Sequence, residues 1–213
     1  EIDYRYPETD AFYGYATRGC VNHCPFCVVP LLEPEYKDFI PLRERIAYTT
    51  KVFGAQRNLL LLDNNVFASD KFNEIIDDIR RQGFGRGDTY KRPDQLAIVI
   101  RQLKRKWNDR AYLRRAVRLL GEYRDWVENH ESKENFERLY SVLSDNGLLH
   151  DYTATRDGVL AVYAMIGTAY AEWHKHKTHP LVRIVDFNQG LDARLATPEK
   201  MKKLSEIAIR PMR

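Results

Sequence analysis

Cysteine is scarce in this chain, with three residues in 213, all of them between positions 20 and 27. An odd, tightly clustered set makes a poor disulfide framework, which excludes a bridge-stapled secreted scaffold and fits metal ligation in a reducing compartment better. Runs of 18 or more apolar residues are missing, as is a charged-then-apolar leader, so the expectation is a cytoplasmic protein without a membrane partner. Internal repeats and low-complexity tracts are lacking too, and nothing calls for a solenoid or a disordered linker. What remains is an ordinary globular composition, 44% hydrophobic and 30% charged, in a chain long enough to bury about 70% of its unfolded surface. Lys and Arg exceed Asp and Glu only by 34 to 30, so the placement of charge carries more information than its sum. The chain starts at Glu1 and stops at Arg213, just past an apolar-polar run, Ile207 to Met212, that reads as an entering strand; it is expected to be an excerpt of a longer protein.

Hydrophobic patterning predicts an α/β arrangement. An aromatic-rich strand over Ala11 to Thr17 feeds directly into the cysteine loop at Arg18-Gly19. Pro41 to Thr50 has helical composition. Asn58 to Asp63 then runs four leucines without alternation, as a strand buried on both faces of a parallel sheet does. Ser69 or Asp70 is placed to cap a helix that buries Phe72, Ile75, Ile76 and Ile79 and ends near Gly83. A third strand, Leu181 to Phe187, comes only after a long interruption, and Thr197-Pro198 then supplies the cap and first residue of another helix.

Loops between a helix and the next strand usually take about 2 to 6 residues, so most of residues 84–179 is read as an insertion. Its patterns are helical. Leu96, Val99, Ile100, Leu103 and Trp107 make one stripe, and Leu113, Val117, Leu120 and Val127 make a second after a break near Asn108-Asp109. Ser132 is placed to cap a third helix ending at Gly147. A fourth, from about Asp157 to His176, sets Val159, Tyr163, Ile166, Tyr170 and Trp173 on one face. A small bundle is the expected form.

Chemistry concentrates in Arg18-Gly19-Cys20-Val21-Asn22-His23-Cys24-Pro25-Phe26-Cys27, a C-x3-C-x2-C run with an aromatic before its last cysteine. Three thiolates in one short loop wrap a single metal centre. Iron-sulfur clusters generally take four cysteines, so a four-iron cluster held here would keep one iron open to substrate or cofactor. The alternative is structural zinc, with His23 or a distant histidine as fourth ligand; zinc sites, however, usually pair two separate C-x2-C knuckles, and one is present.

These residues resemble the radical S-adenosylmethionine (SAM) superfamily, whose signature shares the spacing and the aromatic position. The resemblance covers Asp10 to Gly83 and Leu181 to Arg213. It implies a partial (β/α) barrel of radical SAM type, of which the first three to four strands are present, carrying a large α-helical insertion. Residues 1–83 would form the first part of that core with the cluster loop at 18–30, residues 84–179 the insertion, and residues 180–213 the continuation. It further implies an enzyme in which Cys20, Cys24 and Cys27 hold a [4Fe-4S] cluster and SAM occupies the open iron. SAM is then cleaved reductively to a 5′-deoxyadenosyl radical that abstracts hydrogen from an unknown substrate, with flavodoxin or ferredoxin as electron donor. By the same resemblance Phe26 lies beside the adenine, while Asn64, Asn65, Gln189 and Arg194 contact the rest of SAM. The second strand of the family commonly ends in a Gly-Gly-Glu type motif, and Asp63-Asn64-Asn65 departs from it. Gly190 to Leu195 is similar to a pattern in cobalamin-associated members, which admits cobalamin in a domain outside this excerpt. Cys27-Val28-Val29-Pro30 also resembles tRNA methylthiotransferases, whose second cysteine set is absent here.

Eight basic residues, Arg101, Lys104, Arg105, Lys106, Arg110, Arg114, Arg115 and Arg118, face a single acid, Asp109, across residues 101–118. At helical spacing they fall largely opposite the apolar stripes, a cationic face suited to a phosphate backbone; RNA is the candidate partner of helices 96–127. A zinc-stabilised nucleic-acid-binding module is therefore the alternative outside enzymes. His174, His176 and His179 stand near the end of the insertion, and are read as a polar helix terminus rather than a metal site, since positions two apart on a helix face different ways.

Overall fold

The computed structural model describes Tyr4, residues 7–188 and residues 190–209. In chain order its elements are β1 (Ala11–Gly14), α1 (Val29–Leu32), α2 (Arg43–Phe53), β2 (Asn58–Leu61), α3 (Phe72–Ile79), β3 (Thr89–Tyr90), α4 (Gln95–Arg105), α5 (Asp109–His130), α6 (Lys133–Asp145), α7 (Arg156–Lys177), β4 (Leu181–Val182), β5 (Val185–Asp186) and α8 (Pro198–Leu204). The chain is mixed α/β, and it divides into two compact units. Asp10–Lys91 with Pro180–Arg213 make a sheet unit; Glu1–Thr9 with Arg92–His179 make a helical one.

In the sheet unit β1, β2 and β5 run parallel in the order β1-β2-β5, with Tyr13 opposite Leu60 and Leu60 opposite Asp186. The leucine run thus occupies the central strand, where both neighbours remove backbone groups from water. Leu59 and Leu61 are buried on one face against Phe12, Phe67, Val185 and Phe187, and α3 closes this core with Phe72, Ile75, Ile76 and Ile79. Each such side chain contributes about 1.5–3 kcal/mol by burial.

Several elements differ from expectation. The run expected as one strand over Leu181 to Phe187 splits into β4, which pairs antiparallel with β3, and β5, which joins the parallel sheet. The break falls at Arg183, whose amide donates to Asp88 O at 3.0 Å and whose guanidinium lies 4.4 Å from the Phe84 ring centroid, so two different partners claim the two ends of the run. Neither Ser69 nor Asp70 is the cap residue of α3; Ser69 Oγ accepts from Lys71 N at 2.9 Å and donates to Asp38 O, forming the turn ahead of the helix. Of the entering strand, Ile209 bridges Val185 in parallel register, and residues 210–213 lie outside the described residues. The described strands form two sheets, a parallel one of three strands and an antiparallel one of two, and no closed barrel is formed among the described residues. The sheet unit runs past the expected boundary at 84 to Lys91, with Phe84 wholly buried in the sheet core and Tyr90 laddered to Leu181, while Glu1–Thr9, expected in the core, belongs to the helical unit.

The helical unit is built on α4, α5 and α7, with α6 against α5. Asp94, Ser132 and Thr155 each cap a following helix by accepting from a backbone amide of its first turn. Leu96, Val99, Ile100 and Leu103 are buried as expected, whereas Trp107 is not part of that stripe. Lys106 takes a left-handed conformation (φ 58°) that ends α4, so Trp107 leaves the helix and is exposed beside the Arg105 guanidinium. On α5 the buried stripe is Tyr112, Ala116, Leu119, Leu120, Tyr123 and Val127; Leu113 and Val117 sit at its margin, since the small Ala116 marks the centre of the face. Tyr163 and Ile166 are likewise marginal on α7, where Val159, Val162 and Tyr170 are fully buried. Among the described residues no helix is long and apolar enough to cross a membrane.

Candidate cofactor site at the carboxyl ends of the strands

Parallel strands deliver their carboxyl ends to one edge, which is where open α/β sheets place ligands. Here the three exits are tied to each other. Beyond β1, the amides of Ala16 and Thr17 and the Thr17 hydroxyl all donate to the Asp63 carboxylate just beyond β2, with Ala16 N at 3.0 Å and the Thr17 hydroxyl at 2.7 Å. Asp63 is buried, and burial pushes its carboxyl above the ordinary range against the opposing pull of these donors. Beyond β5, the Gly190 carbonyl accepts from Val66 N at 2.7 Å, and a Cβ on Gly190 would stand 2.7 Å from Asp63 O. Only glycine permits that approach.

The cysteine loop is closed at its base by paired hydrogen bonds between Arg18 and Lys37, N to O at 3.1 and 2.9 Å. Gly19 has φ +73°, and a Cβ on it would meet Glu35 O at 2.7 Å. Glu33 gathers the loop from within: its carboxylate accepts from Gly19 N at 2.8 Å and Asn64 Nδ2 at 3.1 Å, and pairs with Arg18. All three cysteines are free and half-buried. Cys27 N donates to Cys24 O at 3.0 Å, Asn22 N approaches Cys20 Sγ at 3.4 Å, and Asn65 Nδ2 stands 4.0 Å from the same sulfur. Val21, Phe26, Val28, Leu31 and Leu32, next to the cysteines in sequence, are exposed.

The residues expected to contact SAM fall into different situations. Asn65 is buried at the exit of β2, and its Oδ1 has no hydrogen-bond partner among the described residues. Asn64 is spent on Glu33. Phe26 is 91% exposed on the lip of the loop. Arg194 turns its fork onto Asp192, with Nε and Nη2 at 2.8 and 2.7 Å from the two carboxylate oxygens, and also reaches toward Cys24. That guanidinium pulls the Asp192 carboxyl down to about 2, and Asp192 in turn accepts from Asn22 Nδ2 at 3.1 Å, linking the β5 exit to the cysteine loop. Gln189 lies outside the described residues.

Sequence reasoning passed over Glu33, Tyr36 and Asp192. Tyr36 donates to Asn65 O at 3.3 Å, and burial raises its phenol well above the ordinary value, so it stays a neutral donor. A lone acid between Leu32 and Pro34 carries a faint signal, since it stands directly after an apolar one-turn helix; its partners lie 14 and 31 residues away and are invisible locally.

By donor chemistry, three free thiols from one loop are the ligand type of a thiolate-bound centre, and the carboxylates beside them, Glu33 and Asp192, are engaged by Gly19, Asn64, Arg18, Asn22 and Arg194. Among the described residues no three His, Cys, Asp or Glu side chains are arranged to hold a single metal ion. His23 is exposed.

In the helical unit, Arg101, Lys104, Arg105, Lys106, Arg110, Arg114 and Arg118 are exposed; Arg115 is half-buried, and its desolvation lowers its pKa. Arg118 lies 3.9 Å from Glu8, and Asp109 pairs with Arg156. His174 is buried and stacked on Tyr170, with burial lowering its pKa, whereas His176 and His179 are exposed.

No protein-family model, curated protein or solved structure matches the chain.

Proposed function

We propose that the chain is the first part of a radical SAM enzyme, its three parallel strands opening a partial barrel into which the helical unit is inserted. The observation that carries this reading is the C-x3-C-x2-C loop at the β1 exit, whose Asn22 is bonded to Asp192 beyond β5 and whose flanks, Ala16, Thr17 and Glu33, are bonded to Asp63 and Asn64 beyond β2. Cys20, Cys24 and Cys27 would hold the cluster, and a cluster with one open iron supplies an electron to bound SAM for its cleavage to a 5′-deoxyadenosyl radical. The chain's own residues do the rest by positioning. Glu33 and Gly19 set the loop's path. Asn65 Oδ1 offers a buried acceptor to an N–H donor such as the SAM ammonium. Phe26, Leu31 and Leu32 provide apolar surface to cover a reactive centre and exclude water. Arg194 is committed to Asp192, so it fixes the β5 exit and shares only its remaining N–H groups with a SAM carboxylate.

The test is metal and sulfide analysis of anaerobically purified protein. Iron with acid-labile sulfide, lost in each of Cys20→Ala, Cys24→Ala and Cys27→Ala, is the expected result. Zinc without sulfide overturns it in favour of a zinc-stabilised nucleic-acid-binding module, a reading that the exposed basic residues of α4 and α5 also serve. A tRNA methylthiotransferase-like reaction is the narrower form of the enzyme reading, and RNA bound at those helices is the partner it requires.

A further inference from the structure

The helical unit contains a cavity of about 720 Å³, lined from α5 by Tyr123 and Trp126 and from α7 by Trp173. The rings of Tyr123 and Trp126 are nearly parallel, 6.4 Å apart between centroids, and the Trp173 ring is inclined 49° to both, at 5.1 and 6.3 Å. The three rings therefore border one space, with Trp126 also stacked on His130 at 5.1 Å, and the face of each ring carries the negative lobe of its quadrupole. Three carboxylates, Glu122, Glu131 and Glu172, line the same cavity.

The chain itself shows what this lining attracts. The Lys177 ammonium stands 4.6 Å from the Trp173 ring centroid and 3.1 Å from Glu122 Oε2, held by a face and a carboxylate together. Glu172 lies 3.8 Å from Lys175, and Glu131 accepts from Asn135 Nδ2 but makes no ion pair among the described residues. His176 and His179 complete the lining. One lysine thus uses only part of an aromatic and acidic surface whose volume exceeds what a single ammonium fills.

We propose that this cavity binds a small organic cation, an ammonium carried on an apolar frame, which displaces Lys177 from the Trp173 face and takes Glu131 as counter-ion. Cation–π attraction strengthens as the pair leaves water, which a half-enclosed aromatic site favours over the open surface. The site stands apart from the SAM reading, since none of its residues belongs to the cysteine loop or the strand exits.

Choline, with 3,3-dimethylbutan-1-ol as its neutral isostere, is the probe for titration calorimetry and tryptophan fluorescence on the full chain. Saturable choline binding at least about tenfold tighter than that of the alcohol is expected. Lys177→Met should tighten it severalfold by vacating the Trp173 face, and Glu131→Gln should weaken it. Trp126→Leu, at a half-buried position, should weaken it too, with far-UV circular dichroism confirming an intact fold. Equal affinity for the alcohol would reduce the cavity to an apolar recess and overturn the proposal. So would the absence of saturable binding in both the wild type and Lys177→Met.

Discussion

The two units differ in where their reactive groups stand. In the helical unit Tyr123, Trp126, Tyr170 and Trp173 form a contiguous aromatic cluster over Leu120, Val159 and Val162, and three helices are capped by side chains, while Asp109 Oδ1, Arg156 Nε and the Tyr170 hydroxyl are buried without a hydrogen-bond partner among the described residues. The sheet unit has a comparable core, and at one edge Asn65 Oδ1 has no partner among the described residues, three thiols are free and Phe26, Leu31 and Leu32 are exposed. The contrast is one of placement: free thiols and exposed apolar side chains are concentrated at the cysteine loop of the sheet unit.

The largest effect short of losing the cysteines should come from Asp63. Asp63→Ala would leave two buried amides and a buried hydroxyl without their acceptor and destabilise the sheet unit by on the order of 3 kcal/mol, measured by denaturant unfolding. Asp63→Asn keeps an acceptor and should recover much of that loss. If Ala and Asn are equally mild, Asp63 does not tie the strand exits.

Glycine substitutions should then separate the units by sign. Gly19→Ala forces a Cβ against Glu35 O at positive φ and should cost about 1–3 kcal/mol. Gly121→Ala, inside α5 with nothing near the added methyl, should stabilise by about 0.5–1 kcal/mol. Thermal unfolding of the two variants checks both signs.

Their pH dependence should also run in opposite directions. The Asp63 carboxyl is raised in the fold, so its contribution is fully present below the ordinary value of 3.8 and is lost as pH rises through the folded value. The His174 imidazole is lowered, so the unfolded chain binds the proton more readily and the helical unit loses stability as pH falls below 6.5. Hydrogen exchange resolved by unit would show the two slopes. Asp63→Asn and His174→Gln should each remove one of them.

The smallest effect concerns RNA. If the basic face of α4 and α5 binds a backbone, log affinity should fall against log salt by about 0.7 per single-strand phosphate contact. Reversing Arg105, Arg114 and Arg118 to Glu should flatten that slope and leave iron content unchanged. A wild type without salt-dependent RNA binding makes these residues solvated surface alone.

Much of this was legible in the sequence because periodicity is local. The leucine run is the central strand, and the stripes of α3, α4 and α7 lie near where the pattern put them. Failures occurred where tertiary partners decide: Leu181 to Phe187 looks continuous in sequence but is divided between two sheets, and Trp107 falls off its helix through one left-handed residue. At the candidate site the cysteines stand in plain view. Glu33 and Asp192 do not, because their roles depend on residues 14, 31 and 170 positions away.

The central claim is that the open edge of the sheet unit is a site for SAM on a cluster held by the cysteine loop. Anaerobically reconstituted protein should be mixed with SAM and dithionite and assayed for 5′-deoxyadenosine by chromatography. Formation of that product, abolished in Cys24→Ala and reduced in Asn65→Ala, is the predicted result. A protein that holds stoichiometric iron and sulfide yet releases no 5′-deoxyadenosine contradicts it.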